Sequence, residues 1–200
     1  MEMIMMEKHL QDLLAEIQEF GRTFDKSEQV PDKRMRNLNP ETAQLVSLLA
    51  RSGRRTRLLE IGTSSGYSTI WLAWSVQQHG GQVTSIDHSE EKLALAQANL
   101  QRAGLSEIVE LRHGDATDIV SELDGPFDFV LFDSVQVKPY LQLERLLPKL
   151  TKDALVLADN VLSHVADMQP FLDLIDAQPD FDRVVVPVGK GLCVASKYEL

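Results

Sequence analysis

The sequence predicts an α/β protein: a doubly wound, seven-stranded sheet, mostly parallel with an antiparallel last strand, preceded by N-terminal helices. From residue 57 onward, short apolar runs alternate with segments of helical spacing, which is typical of a parallel sheet covered by helices on both faces. Only Gly189-Lys190-Gly191 separates the last two runs. A connection this short is a hairpin, so the final strand must run antiparallel to its neighbour.

The N-terminal region, residues 1–56, is expected to contain two or three helices interrupted near residues 29–41. Pro40 suits a helix start, because proline is tolerated in the first turn. The rest, residues 57–200, forms the α/β core. At 200 residues the chain fits a single domain with a substantial hydrophobic core.

The core strands follow from the apolar runs. They are expected at 57–61, 82–87, 108–113, 127–133, 154–159, 183–188 and 191–196. The helix predicted over 89–103 has the clearest boundaries, since Ser89 is a good N-cap, acids fill the first turn and Gly104 ends it.

Charge and composition limit the partners. A net charge of −10 argues against nucleic-acid binding, because neutralising phosphates needs a basic face. The early basic cluster, from Lys33 to Arg57, is expected to be solvated surface; the alternative is a site for an anionic substrate tail. The single cysteine, Cys193, excludes an intramolecular disulfide. Without a membrane-length apolar run or a signal peptide, a cytoplasmic protein with no membrane partner is expected.

The segment EIGTSSG after the first strand indicates a ligand-binding loop. Ligands of open parallel sheets bind beyond the carboxyl ends of the strands. Gly62 and Gly66 allow close approach of the backbone, and the helix that starts at Gly66 directs free N–H groups towards the ligand. The spacing differs from that of dinucleotide folds. Glu60 would repel a pyrophosphate but attract an ammonium or sulfonium.

Two further strand ends extend this site. Asp87 ends the second strand, where an acid can accept hydrogen bonds from both ribose hydroxyls. Gly114, Asp115 and Ala116 follow the third strand, where an adenine edge could be read. Together these features indicate S-adenosylmethionine (SAM), although each alone is equally a tight turn, an exposed acid or a helix cap.

Oxygen-bearing side chains end two more strands. Asp133 follows the fourth strand, and Asp159 and Asn160 follow the fifth. Adjacent strand ends can place three oxygen ligands together, and Mg²⁺ takes about six oxygens. Three positions would remain for two substrate hydroxyls and one water. The alternative is that the acids only cap loops or helices.

The motifs EIGTSSGYST and ADN resemble those of class I SAM-dependent methyltransferases, in particular the metal-dependent catechol and caffeoyl-CoA O-methyltransferases. The resemblance covers roughly residues 35–197. It implies a Rossmann-like fold, a catechol-like or phenolic small-molecule substrate, Mg²⁺ held by the three strand-end residues, and a homodimer. Ser68 and the loop N–H groups would hold the methionyl carboxylate, with Tyr67 packed nearby and His88 against the adenine or ribose. The implied cofactor-binding residues are Glu60, Gly62, Thr63, Ser64, Gly66, Tyr67, Ser68, Asp87, His88, Gly114, Asp115, Ala116 and Asp133.

The sequence departs from this family at the general base. A lysine usually lies three residues after the metal-binding acid, but here Gln136 takes that place. The candidates for the base are therefore His164, whose intrinsic pKa suits the role, Lys138 in a rearranged loop, or no dedicated residue. We favour His164. Met35, Arg36 and Asn39 fall where the family contacts its acceptor.

Three other functions compete with this interpretation. A SAM methyltransferase could act on another acceptor without metal, and a catalytically silent SAM-fold subunit could bind a partner. Intact SAM-loop and metal-ligand sets argue against the silent subunit. An NAD-binding oxidoreductase is disfavoured by Glu60 and by the glycine spacing.

Overall fold

The structure is a computed structural model that describes residues 6–134 and 139–199. The helices are α1 Lys8–Ser27, α2 Pro40–Ser52, α3 Tyr67–Val76, α4 Glu90–Ala103, α5 Ala116–Glu122, α6 Pro139–Leu146 and α7 Val165–Asp176. The strands are β1 Arg57–Ile61, β2 Gln82–Asp87, β3 Val109–His113, β4 Phe127–Phe132, β5 Leu150–Ala158, β6 Phe181–Val186 and β7 Leu192–Lys197.

The seven strands form one sheet in the order β3-β2-β1-β4-β5-β7-β6. The strands β1 to β5 pair in parallel, while β7 lies between β5 and β6 and runs antiparallel to both. The predicted fold class is therefore confirmed. The strand predicted over 154–159 begins earlier, at Leu150, because residues 151–153 are polar and at least partly exposed and so interrupt the apolar signal.

The helix signals read from the sequence are confirmed. Asn39 and Pro40 start α2 as predicted. The side chain of Ser89 accepts a hydrogen bond from the Lys92 N–H at 3.3 Å and caps α4, which ends at Gly104 in the left-handed conformation. Among the described residues, the helices are too short or too polar to cross a membrane.

The hydrophobic core lies on both faces of the sheet. On one face, Leu58 and Phe129 pack with α1, α2 and α3; on the other, Leu59 and Val130 pack with α6 and α7. All four side chains are at most 1% exposed. Central parallel strands covered on both faces need apolar residues at successive positions, which explains the near-continuous apolar runs.

Replacing Phe129 with alanine should lower the free energy of unfolding by about 3–5 kcal/mol, because the substitution leaves a cavity under a central strand. Urea denaturation measures this change. The matched control is Phe20→Ala in α1, where the ring is 45% exposed and a loss below about 1 kcal/mol is expected. Equal losses in the two variants would contradict this account of the core.

Candidate active site

A cavity of about 290 Å³ lies beyond the carboxyl ends of β1, β2 and β4. Most of the predicted site residues line it. Those are Met35, Arg36, Gly62, Thr63, Ser64, Tyr67, Ser68, Asp87, His88, Gly114, Asp115, Ala116, Asp133 and Asn160. The lining residues that the sequence interpretation did not assign include the polar side chains Asn37, Lys92, Gln142 and Lys190.

The turn after β1 depends on Gly62. Its φ is 110°, and a Cβ built there would lie 2.3 Å from the carbonyl oxygen of Asp133. Only glycine permits this approach, since any side chain would collide with the backbone at the end of β4. The Gly62 N–H donates to the carbonyl of Ile86 at 2.9 Å, which holds the turn against the end of β2.

Asp87 is held rigidly at the end of β2. Its Oδ2 accepts from the Ser64 N–H and its Oδ1 from the Ser89 N–H, both at 2.9 Å. The residue is 8% exposed and lines the cavity. Because two backbone N–H groups fix the carboxylate, its remaining lone pairs face the cavity in one orientation and can accept hydrogen bonds from a diol.

The segment before α2 covers the same cavity. The carboxylate of Asp25 accepts from the Met35 N–H at 2.6 Å and the Arg36 N–H at 2.8 Å. Ser64 Oγ donates to the carbonyl of Met35 at 2.5 Å. Arg36 has a φ of 50°, a left-handed conformation that a non-glycine residue adopts at a cost of about 1–2 kcal/mol. The N-terminal region is thus tied to the loop after β1.

Asn37 extends this tie to α1. Its Oδ1 accepts from the Ser65 hydroxyl at 2.6 Å, and its Nδ2 donates to the carbonyl of Ile17 at 3.1 Å. The sequence interpretation missed Asn37 because its partners are distant in the chain. A polar residue between two helices carries no periodic signal that would mark such a bridge.

Glu60 is completely buried and points away from the cavity. Its Oε2 accepts from the Thr69 hydroxyl at 2.5 Å and the Ser85 hydroxyl at 2.6 Å, while Oε1 has no hydrogen-bond partner. Burial raises the pKa of Glu60 to about 7, against the opposing effect of hydroxyl hydrogen bonds. The structure places this acid behind the cavity wall, in contrast to the direct ligand attraction expected from the sequence.

The residues around the predicted adenine loop have mixed roles. Asp115 caps α5, because its Oδ1 accepts from the Thr117 N–H at 2.7 Å. Gly114 has a φ of 145° and donates its N–H to the carbonyl of Asp87 at 3.1 Å. Asp115 is therefore a helix cap, as the alternative interpretation predicts, and it also lines the cavity.

Asp133, Asp159 and Asn160 are brought together by the parallel pairing of β4 and β5. Asp159 is 5% exposed and Asn160 is 4% exposed, and in both the Oδ1 atom is buried without a hydrogen-bond partner. Burial, then the charges of Asp159 and Glu60, raise the pKa of Asp133 well above its ordinary value. Burial also raises the pKa of Asp159. Buried oxygens without partners are costly unless a ligand satisfies them.

These three residues fit a hard divalent cation. Two carboxylates and one amide supply only oxygen donors, which is the donor type of Mg²⁺ sites. Among the described residues, no three His, Cys, Asp or Glu side chains cluster as a metal site. Asn160 has a φ of 70°, a left-handed conformation that is strained for a residue other than glycine. The strain therefore occurs at one of the two residues whose Oδ1 atoms have no hydrogen-bond partner.

The candidates for the general base differ in position. His164 precedes α7 and its Nδ1 lies 3.0 Å from Ser163 Oγ; it does not line the cavity, although its charge lowers the pKa of Asp159. Gln136 and Lys138 lie outside the described residues. Asn39, expected to contact the acceptor, lies at the N-cap of α2 and does not line the cavity.

Comparison with known proteins identifies the family. Residues 59–161 match the family described as a methyltransferase domain, just over half of the chain. The chain therefore belongs to this methyltransferase family, which confirms the resemblance found in the sequence.

Two relatives are named catechol O-methyltransferases. The chain is 34% identical over 131 residues to that of Niastella koreensis, a match that covers 63% of this chain and 58% of that protein. It is 32% identical over 126 residues to that of Mycobacterium tuberculosis, covering 62% and 57%. The match thus spans less than two thirds of the length of these relatives.

Solved structures share the whole fold. An O-methyltransferase from Bacillus cereus, in complex with SAH, superposes with a TM-score of 0.81 at 26% identity over 93% of this chain and 90% of that chain. The O-methyltransferase TomG from Streptomyces achromogenes, in complex with SAM, shares the fold with a TM-score of 0.79 at 24% identity, covering 98% and 92%.

Gly62→Ala should lower the free energy of unfolding by about 3 kcal/mol or more, because strain at positive φ adds to the collision with Asp133. Gly80→Ala is the matched control, since Gly80 also has a positive φ, 76°, but a Cβ there meets nothing within 4 Å. We expect Gly80→Ala to cost only about 1–2 kcal/mol in urea denaturation. A smaller loss for Gly62→Ala than for Gly80→Ala would refute the close approach.

Glu60→Gln should change the pH dependence of stability. The folded protein holds the Glu60 proton up to about pH 7, whereas the unfolded chain releases it near 4.5, so wild-type stability falls as pH rises between these values. The pH-independent glutamine variant should therefore gain about 3 kcal/mol relative to wild type between pH 4.5 and pH 8. Urea denaturation across this range tests it. Glu122→Gln, at an exposed position, serves as control, and a parallel response of the two variants would count against the assignment.

Proposed function

We propose that this protein is a SAM-dependent O-methyltransferase that methylates a hydroxyl of a catechol-like or phenolic small molecule with the help of a divalent cation. One observation carries the proposal: a single cavity is lined by the fixed carboxylate of Asp87 and by Asp133 and Asn160. Asp87 suits the ribose of a methyl-donating cofactor, and Asp133 and Asn160 suit a cation that an acceptor can chelate. The two groups lie at neighbouring strand ends, so donor and acceptor would meet in one cavity.

The cofactor half of the site is proposed to bind SAM through loop and strand-end groups. The backbone N–H groups between Gly62 and Ser68, at the start of α3, would hold the methionyl carboxylate. Asp87 would accept from the two ribose hydroxyls, and Gly114 to Ala116 would contact the adenine. SAM, when bound, supplies a methyl group on a sulfonium.

The acceptor half is proposed to hold a divalent cation, with Mg²⁺ as the first candidate. Asp133, Asp159 and Asn160 would be its ligands, and the unpartnered Oδ1 atoms of Asp159 and Asn160 support this assignment. A cation bound there supplies Lewis-acid chemistry that lowers the pKa of an acceptor hydroxyl. The names of the two catechol O-methyltransferase relatives favour an acceptor with adjacent hydroxyls.

The remaining groups are proposed to handle the proton and the solvent. His164 would take the acceptor proton through an intervening water, because it adjoins the Asp159 side of the site without lining the cavity. The segment from Met35 to Asn37 would exclude water above the cofactor, since it is hydrogen-bonded to the loop after β1. The homodimer and the cytoplasmic location expected from the sequence stay predictions.

The test combines SAM binding with methyl transfer. Calorimetric titration with SAM comes first, followed by assays on a panel of catechols and single-hydroxyl phenols, each with Mg²⁺ and with EDTA. We expect SAM binding under both conditions, and methyl transfer to catechols only with Mg²⁺. Turnover that persists in EDTA would overturn the cation role, and absence of SAM binding would overturn the whole proposal.

Asp159→Asn should abolish Mg²⁺-dependent turnover, with a loss of at least about 100-fold, because it removes one charge from the cation site. SAM affinity should stay within a few fold, since Asp159 is not among the residues that line the cavity. Asp182→Asn on β6 is the matched control at an exposed position and should leave turnover unchanged. Retained turnover in a folded Asp159→Asn variant would contradict the assignment.

A further inference from the structure

Lys190 places a positive charge beside the proposed cation site. It lies in the turn Gly189-Lys190-Gly191 between β6 and β7 and lines the cavity together with Asp133 and Asn160. Neither the proposed cofactor chemistry nor the proposed ligand set uses it. Because a lysine beside the proposed cation site would repel the cation, its presence needs a separate explanation.

The turn is clamped onto the loop that carries Asp159 and Asn160. The Leu162 N–H donates to the carbonyl of Lys190 at 3.0 Å, and the Val161 N–H donates to the carbonyl of Gly191 at 3.1 Å. Gly191 has a φ of 90°, and a Cβ there would lie 2.4 Å from Leu162. The Lys190 backbone is thus fixed relative to the two ligand residues.

The other side of the turn packs on the start of α2. Gly189 has a φ of 56°, and a Cβ there would lie 2.5 Å from Thr42 Oγ1 and 3.1 Å from Asn39 Cβ. Glycine is required on both sides of Lys190 for the turn to fit between these neighbours. The position of Lys190 is therefore built into the packing of three separate chain segments.

Lys190 shares the cavity wall with Asp133 and Asn160, and its backbone is hydrogen-bonded to the loop that follows Asp159. Within the described ranges, it forms no ion pair at 4.0 Å or less. An anionic group held in this cavity beside Asp133 and Asn160 would therefore meet the positive charge of Lys190 on one wall.

We infer that Lys190 is a specificity-determining cation that couples the two ligands of this site: it weakens divalent-cation binding to the free acidic pair, and it favours an ionised acceptor oxygen beside the bound cation. The inference rests on the proposed function. Two positive charges repel when nothing lies between them, and an oxyanion between them converts this repulsion into attraction on both sides. The cation and the acceptor would therefore bind together rather than independently.

Binding of Mn²⁺ to the whole chain, measured by electron paramagnetic resonance of the free ion, tests the inference without turnover. Lys190→Met should bind Mn²⁺ about tenfold more tightly than wild type in the absence of acceptor, whereas Lys190→Arg, which keeps the charge, should bind within about threefold. Catechol, added as the probe acceptor, should then tighten Mn²⁺ binding by a larger factor in wild type than in Lys190→Met.

Two controls separate this inference from the proposed function. Lys152→Met removes a lysine that is 76% exposed near the amino end of β5, away from the carboxyl end that carries Asp159, and should leave Mn²⁺ affinity unchanged. Asp159→Asn should lose Mn²⁺ binding. If Asp159→Asn loses Mn²⁺ binding while Lys190→Met binds Mn²⁺ and responds to catechol as wild type does, the inference about Lys190 is refuted and the proposed function is not. If Asp159→Asn binds Mn²⁺ as wild type does, the cation site itself is refuted, and the inference with it.

Discussion

The site depends on the contact between the backbones of Gly62 and Asp133. β1 lies between β2 and β4, so the chain leaving β1 must pass over the end of β4, and it does so at a distance that excludes even a methyl group. This single crossing joins the loop proposed for the cofactor to the acid proposed for the cation. With any larger residue at position 62, the loop would be displaced from Asp133 and the two halves would no longer share one cavity.

Buried negative charge is the main electrostatic feature of this region. Burial raises the pKa values of Glu60, Asp133 and Asp159, so each ionised carboxylate costs folding free energy at neutral pH. Two hydroxyl groups donate to Oε2 of Glu60, while Oε1 of Glu60 and Oδ1 of Asp159 have no hydrogen-bond partner. Lys190 reduces the penalty only at a distance. A cation bound at Asp133 and Asp159, as proposed, would lower the part of this penalty that comes from these two acids.

The sequence predicts the fold and the strand-end acids well, because both follow from local patterns. The interpretation of Glu60 as a ligand-attracting acid is less accurate, although the alternation of side chains along β1 indicates that Glu60 faces away from the cavity. Side chains alternate along a strand, and Ile61 lines the cavity, so Glu60 must face the other side, where Thr69 on α3 meets it. Lys190 lies about 30 residues from the nearest ligand residue, Asn160, and only the sheet order brings them together. No local pattern contains that information.

The antiparallel last strand explains how a distant turn reaches the site. β6 runs in the same direction as the parallel strands, so it ends on the side of the sheet where the carboxyl ends of β4 and β5 lie. β7 then starts on that side and runs back between β5 and β6. The turn that joins them must therefore lie next to the loop after β5, where its backbone hydrogen bonds are found. A parallel seventh strand would have to start at the amino end of the other strands, so the chain would need a long crossover connection to reach it. Such a connection could not place Lys190 in a short turn beside Asp133 and Asp159.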